Sequence, residues 1–352
     1  MRITLPPALA LVVLVLALVP GFASAMPMVI DTIVVGGAQM NGIGVNSSTN
    51  RVYVSGSSTV SVIDGTVNAV IATIPGLQVN SSDGPIDIDV NVATNRIYVG
   101  RTVHAGGIIN VIDGATNSVS AIGGLGAHPV TLGVNASTNR IYAANQLGNS
   151  VSVIDGGAGS VITTFGGFSS PVGVAANAST NRVYVGNNAG NSLAVVDGST
   201  NTILTTISGI PDPFRVALNP ITNRVYVTNR LSNTVSVIDG GSNSLLGTIS
   251  VGALPLGISV DPSANLIYVA NFGSDTLSII DGLTNMVLFS LPVGDDPVDV
   301  AVNSSTGRIY VANSTSGTVS VIANVPEPST VLLLAAALVG LLGRRAAGNS
   351  WN

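Results

Sequence analysis

A nine-residue stretch, Asn-Ala-Ser-Thr-Asn-Arg-Val-Tyr-Val at 177–185, recurs along the chain with little change and limits what the chain can fold into. Its copies put Tyr53, Tyr98, Tyr142, Tyr184, Tyr226, Tyr268 and Tyr310 in register, at steps of 45, 44 and then four times 42 residues, and they use every tyrosine present. A fixed period of this length marks repeated supersecondary units, each of which buries its apolar faces only by stacking on its neighbours. The 352 residues could hold two domains, but an unbroken repeat argues for one, over residues 28–323.

One unit, 171–214, reads as four short strands. Val172, Val174 and Ala176 alternate with Gly173 and Ala175, a period-2 pattern with one face kept small for close approach of another sheet. Residues 177–181 are turn chemistry, because Asn, Ser and Thr bond their own backbone and Asn tolerates a left-handed conformation. Strands at 182–186, 192–196 and 203–207 follow, with Asp197-Gly198 marking the hairpin between the last two. These strands are termed a, b, c and d. Four strands per unit and seven units predict an all-β, seven-bladed β-propeller of four-stranded antiparallel blades. The last unit stops after strand c at Ile322, whereas 29–35 reads as a strand d without a blade. Pairing this N-terminal strand with 318–322 of the last blade closes the ring and removes two open edges.

Charged residues make up 8% of the chain, with no lysine and one glutamate, Glu327; ordinary globular domains carry roughly 25%. A net charge of −5 without basic clusters disfavours nucleic acid as a partner. The absence of cysteine removes disulfides, thiolate metal sites and a thiol nucleophile.

The chain termini carry sorting chemistry. Arg2, the apolar run 9–19 and Ala23-Ser24-Ala25 follow the order of a secretory signal over 1–25, with signal peptidase expected to cut between Ala25 and Met26. Eleven apolar residues reach about 17 Å as a helix, short of a hydrocarbon core of about 30 Å. Beyond the repeats, 324–352 contains Pro326-Glu327-Pro328, a short apolar run, and then Arg344-Arg345. The arginines suit the cytoplasmic side of a membrane.

Two resemblances follow from these residues. Tyr226-Val227-Thr228-Asn229, Tyr-Val-Ala-Asn at 268 and 310, and the preceding Thr-Asn-Arg resemble the YVTN-repeat β-propeller family, which implies the fold and spans surface-layer proteins and some enzymes. The repeat departs from itself at Asn265-Leu266, at Gly307-Arg308, and at Ala323, which replaces the aspartate ending every other strand c. The segment 324–352 resembles the PEP-CTERM sorting signal of Gram-negative bacteria. That resemblance implies a transient inner-membrane anchor, processing by an exosortase, and delivery to the cell surface or extracellular matrix.

Chemistry is expected where loops d-to-a and b-to-c share one face of the ring. His104 and His128 fall there in adjacent blades. The position two residues after the strand-entry proline is Gly42, Asp87, Thr131, Gly173, Arg215, Gly257 and Asp299 around the ring. Asp87 and Asp299 would flank the channel mouth, with Asp89 deeper and Arg215 roughly opposite: a sugar-binding mouth, or an oxygen-rich one that could take calcium. No tight ligand spacing supports a metal, and solvated charges at a water-filled mouth are the plainer reading. The aspartates before each c-to-d glycine serve turns. The uncharged d strands at the rim could accept a strand from another copy or from a matrix protein. The expectation is a non-enzymatic scaffold for exopolysaccharide or biofilm matrix without a required cofactor; the alternative is a propeller hydrolase or lactonase using a cation at the channel mouth.

Overall fold

The computed structural model describes residues 26–36, 39–77, 87–101 and 106–325. Among them, 28 strands form seven four-stranded antiparallel sheets, and a 3₁₀ turn at Phe272–Ser274 is the helical element. In blade 4 strands a to d are Pro171–Asn177, Arg182–Asn187, Ser192–Asp197 and Thr202–Ser208, each within a residue or two of its predicted span. Tyr184 stands between Ala175 and Val195 in this sheet. The first strand, Met26–Val34, pairs with the last, Thr318–Val325, and supplies strand d of blade 7. The ring therefore closes as expected.

Each tyrosine is buried in an apolar cluster that joins its own blade to the following one. Tyr53 packs with Ile97, Val99 and Ile112, Tyr184 with Val225, Val227 and Ile238, and Tyr310 with Val52, Val54 and Ile63 across the closure. The ring tips reach the c-to-d turn of that next blade, where Tyr142 Oη donates to the Gly198 carbonyl at 3.3 Å. The glycine of the Asp-Gly pair leaves room for this tip at Gly65, Gly156, Gly198 and Gly240, and for the left-handed asparagine of its own blade at all six pairs. A Cβ on Gly240 would lie 2.7 Å from Tyr184 Oη, and one on Gly198 2.9 Å from Tyr142 Oη.

The c-to-d hairpin itself is a four-residue turn, 198–201 in blade 4, whose left-handed residue is Asn201 and not the glycine. Asp197 Oδ1 caps it by accepting from the N–H groups of Ser199 and Thr200, at 2.7 and 3.3 Å. Glycine is thus required for space, and asparagine for backbone conformation.

Amides staple the blades on the a-to-b side. The asparagine ending strand a donates through Nδ2 to Oδ1 of the left-handed asparagine in the next blade. The pairs are Asn46–Asn95, Asn91–Asn139, Asn135–Asn181, Asn177–Asn223, Asn219–Asn265 and Asn303–Asn50, at 2.7 to 3.1 Å. In three blades the arginine that follows the left-handed position bonds the c-to-d turn carbonyl of the next blade: Arg96 with Gly156 at 2.9 Å, Arg140 with Gly198 at 2.5 Å, and Arg308 with Gly65. In blades 3 to 7 the asparagine three residues after the tyrosine clasps the b-to-c hairpin; Asn229 Nδ2 donates to Thr234 Oγ1 and Ser236 Oγ.

The uncharged rim strands are not regular edges. Strand d carries a bulge at the same place in blade after blade, so that Ile71, Ile162, Leu204, Leu246 and Leu288 have no partner on strand c. A bulge bends and twists an edge away from a would-be partner strand. It also turns these aliphatic side chains outward, 46 to 51% exposed.

Because Tyr184 and Gly240 share one contact, Gly240→Ala should destabilise the fold by about 1–3 kcal/mol through overpacking. The penalty should be smaller in a Tyr184→Phe background, giving a coupling of at least about 0.5 kcal/mol in a denaturant double-mutant cycle. Strict additivity of the two substitutions would remove the tyrosine from this explanation.

Candidate functional site

All seven a strands line a central cavity of about 350 Å³ that contains Asp87, Asp89, Arg215 and Asp299. The small residues between these charges let the strands converge. A Cβ on Gly173 would meet the Phe214 carbonyl oxygen at 2.7 Å, and one on Gly257 would meet Asp299 Cα at 2.4 Å. One residue nearer the d-to-a loops, Val130, Val172 and Phe214 pack as an apolar cluster with Leu256 against them. The charges consequently lie inside the channel, and not at a solvated mouth: Asp87, Arg215 and Asp299 are 8, 6 and 7% exposed.

Arg215 of blade 5 crosses the channel to Asp87 of blade 2, with Nη1 2.6 Å from Oδ1. The carboxylates also join neighbouring blades. Asp87 Oδ2 accepts from Leu132 N at 2.8 Å, Asp89 Oδ2 from Val134 N at 2.7 Å, and Asp299 Oδ2 from Ile43 N at 3.1 Å. Thr131, at the same repeat position as Asp87, donates its hydroxyl to the Val172 carbonyl of the next blade.

Burial, reinforced by the neighbouring Asp87, pushes Asp89 up to about 7. Burial also pushes Asp299 up to about 7; Arg215 opposes the rise and Asp87 adds to it. Desolvation works against the Arg215 charge, but Asp87, Asp299 and Asp89 outweigh it and hold the guanidinium above its ordinary value. The arrangement is a buried, hydrogen-bonded charge cluster. It makes a poor cage for calcium, because a guanidinium occupies Asp87 and backbone N–H groups occupy the other oxygens. Among the described residues no three His, Cys, Asp or Glu side chains converge as metal ligands.

His128 is buried, with a left-handed backbone that recurs just before the strand-entry proline at Ser170, Asp212, Leu254 and Asp296. Its carbonyl accepts from Gln146 N, as that of Ser170 does from Asn188 N, so its backbone follows the repeat. His104 lies outside the described residues.

With this architecture in view, comparison with known proteins is direct. A family model described as YNCE-like beta-propeller matches residues 124–324, more than half of the chain. The chain belongs to the YNCE-like beta-propeller family. A second model, the PEP-CTERM protein-sorting motif, matches residues 324–346, taking in Pro326, Glu327, Pro328, Arg344 and Arg345. The motif implies export, processing by an exosortase, and membrane-anchored transit to the cell surface. These residues and Ala25 lie outside the described residues, while Met26 opens the first strand. No curated protein matched the chain.

The loop face of this propeller holds a second depression, of about 520 Å³, around Arg230, Phe214 and Phe272, which the sequence reading passed over. Its signal was present as departures from the repeat: Phe272 stands where blades 3, 4, 5 and 7 have Gln146, Asn188, Arg230 and Ser314, and Leu254 where they have His128, Ser170, Asp212 and Asp296.

The raised aspartates dictate how stability depends on pH. A carboxyl whose folded value, about 7, exceeds its ordinary 3.8 binds more protons folded than unfolded between those values. Stability therefore falls as pH rises from about 4 to 7 and is level above that. The melting temperature should be a few degrees higher at pH 5 than at pH 8, and the difference should shrink in Asp89→Asn/Asp299→Asn. Equal pH dependence in the variant and the parent would refute the assignment.

Proposed function

We propose that this propeller is a non-enzymatic scaffold at the cell surface or in the extracellular matrix, binding exopolysaccharide or another matrix component through the face that carries the d-to-a and b-to-c loops. The observation that carries the reading is the sorting motif, which begins at residue 324, inside the last strand of a closed ring. The channel chemistry supports it, since its carboxylates are engaged in joining blades. The opposite face is built of near-identical stapled turns, whereas the loop face varies from blade to blade and is where recognition by a rigid scaffold concentrates.

The raised pKa of Asp89 and Asp299 inside a cavity favours a second reading, a hydrolase or lactonase in which one of them handles a proton. Co-sedimentation of the exported protein with extracellular polysaccharide from its own source, with and without calcium and EDTA, separates the two. Saturable binding, unchanged by chelator and retained in a folded Asp299→Asn variant, is the expected result. Absence of binding, together with lactone or ester hydrolysis abolished by Asp89→Asn or Asp299→Asn, would replace the scaffold reading with the enzymatic one.

A further inference from the structure

The depression on the loop face sits where the repeat is broken by apolar residues. Phe214, Leu256 and Val298, each the second residue of its strand a, form its floor, and Leu231, Leu254 and Phe272 its walls. Elsewhere Ser170 stands at the position of Leu254 and Asn188 at that of Phe272, while the position of Leu231 carries Ala189, Gly273 and Thr315 and is again aliphatic only at Leu147 among blades 3 to 7. Burial does not call for the change at Leu231 and Leu254, which remain 68 and 36% exposed.

Leu254 also bears a conformational penalty. Its φ is 48°, in the left-handed region that a bulky side chain avoids and that Ser, Asp and His occupy in other blades. Strain held at an exposed apolar residue points to use of that side chain.

Arg230 gives the site its polarity. Its guanidinium lies over the Phe214 ring, 5.2 Å from the centroid, and its Nε is 3.2 Å from Asp212 Oδ2, which fixes the fork. Among the described residues no protein group accepts from Nη1 or Nη2, and no acidic side chain lines the depression. A cation with a free bidentate edge, set above an aromatic plate and beside aliphatic walls, suits a planar anion with an apolar body.

We propose that this depression binds an amphipathic carboxylate, its flat apolar body against Phe214 and Phe272 and its carboxylate on the terminal nitrogens of Arg230. The volume, about 520 Å³, lies in the range of small-molecule sites. The site goes beyond the scaffold reading, and polysaccharide retention can fail or succeed independently of it.

The test uses the full chain, isothermal titration calorimetry, and two probes: 2-naphthoate and its neutral analogue 2-naphthalenemethanol. Naphthoate should bind saturably at one site, roughly tenfold or more tighter than the alcohol, the gap expected of one charge-assisted pair. Arg230→Asn should bring the two probes level. Leu231→Ala/Leu254→Ser/Phe272→Asn should abolish binding of both. Because other blades use those same residues, the triple variant keeps its fold, and Leu254→Ser alone should raise the melting temperature by relieving strain. No saturable binding by the parent chain, equal affinity for the two probes, undiminished binding by the triple variant, or a lower melting temperature in Leu254→Ser would each overturn the proposal.

Discussion

One contact made seven times, the burial of a tyrosine from each blade in the next, underlies the ring. A lone four-stranded sheet of this size exposes both faces and cannot hold its shape, so stability resides in the seams between sheets. The tyrosine supplies a large apolar body and a hydroxyl that must end near a polar group. The turn glycine makes the space, and the flanking asparagine and arginine fill the rest of the seam with bonds to backbone and amide oxygens. Neutral amides carry work that ion pairs might have carried, which suits a chain with 8% charged residues.

The seam from blade 6 to blade 7 shows that these parts form a unit. Asp261 stands where six blades have the donating asparagine, and Gly307 replaces the asparagine that would accept from it, so donor and acceptor are lost together. Leu266 replaces the arginine whose acceptor would be a c-to-d turn in blade 7. That blade has no such turn, because its strand d comes from the other end of the chain. Tyr268, facing this seam, is the least buried of the tyrosines at 3% exposed, and burial with Asp261 nearby pushes it up to about 12. Residues that look like scattered drift in one repeat are matched changes across a single interface.

The fold was legible because period, alternation and turn chemistry all point to one answer. The strands of blade 4 and the closing strand lie almost where their patterns place them. What misled was local reasoning about residues whose partner is in another blade. The Asp-Gly pairs read as a hairpin signal, yet several of their glycines also answer to a tyrosine of the neighbouring blade, as Gly198 does to Tyr142 and Gly65 to Tyr310. Repeat register brought Asp87, Asp299 and Arg215 to one level, but their depth beneath Val130, Val172 and Phe214, and the ion pair across the channel, depend on ring diameter, which no single repeat encodes. The depression at Arg230 was passed over for a related reason. Leu254 and Phe272 are ordinary residues, unusual only when compared with the same positions in other blades.

The pairing of the first strand with the last has a consequence for how the protein reaches its destination. Thr318–Val325 is the final piece of the ring to be synthesised, and it overlaps the start of the sorting motif at 324. The first strand therefore has no partner until nearly everything ahead of the sorting segment has been made. Circular closure thus works as a completeness check. A chain truncated before residue 318 lacks both the closing strand and the sorting motif, and leaves the first strand without its partner.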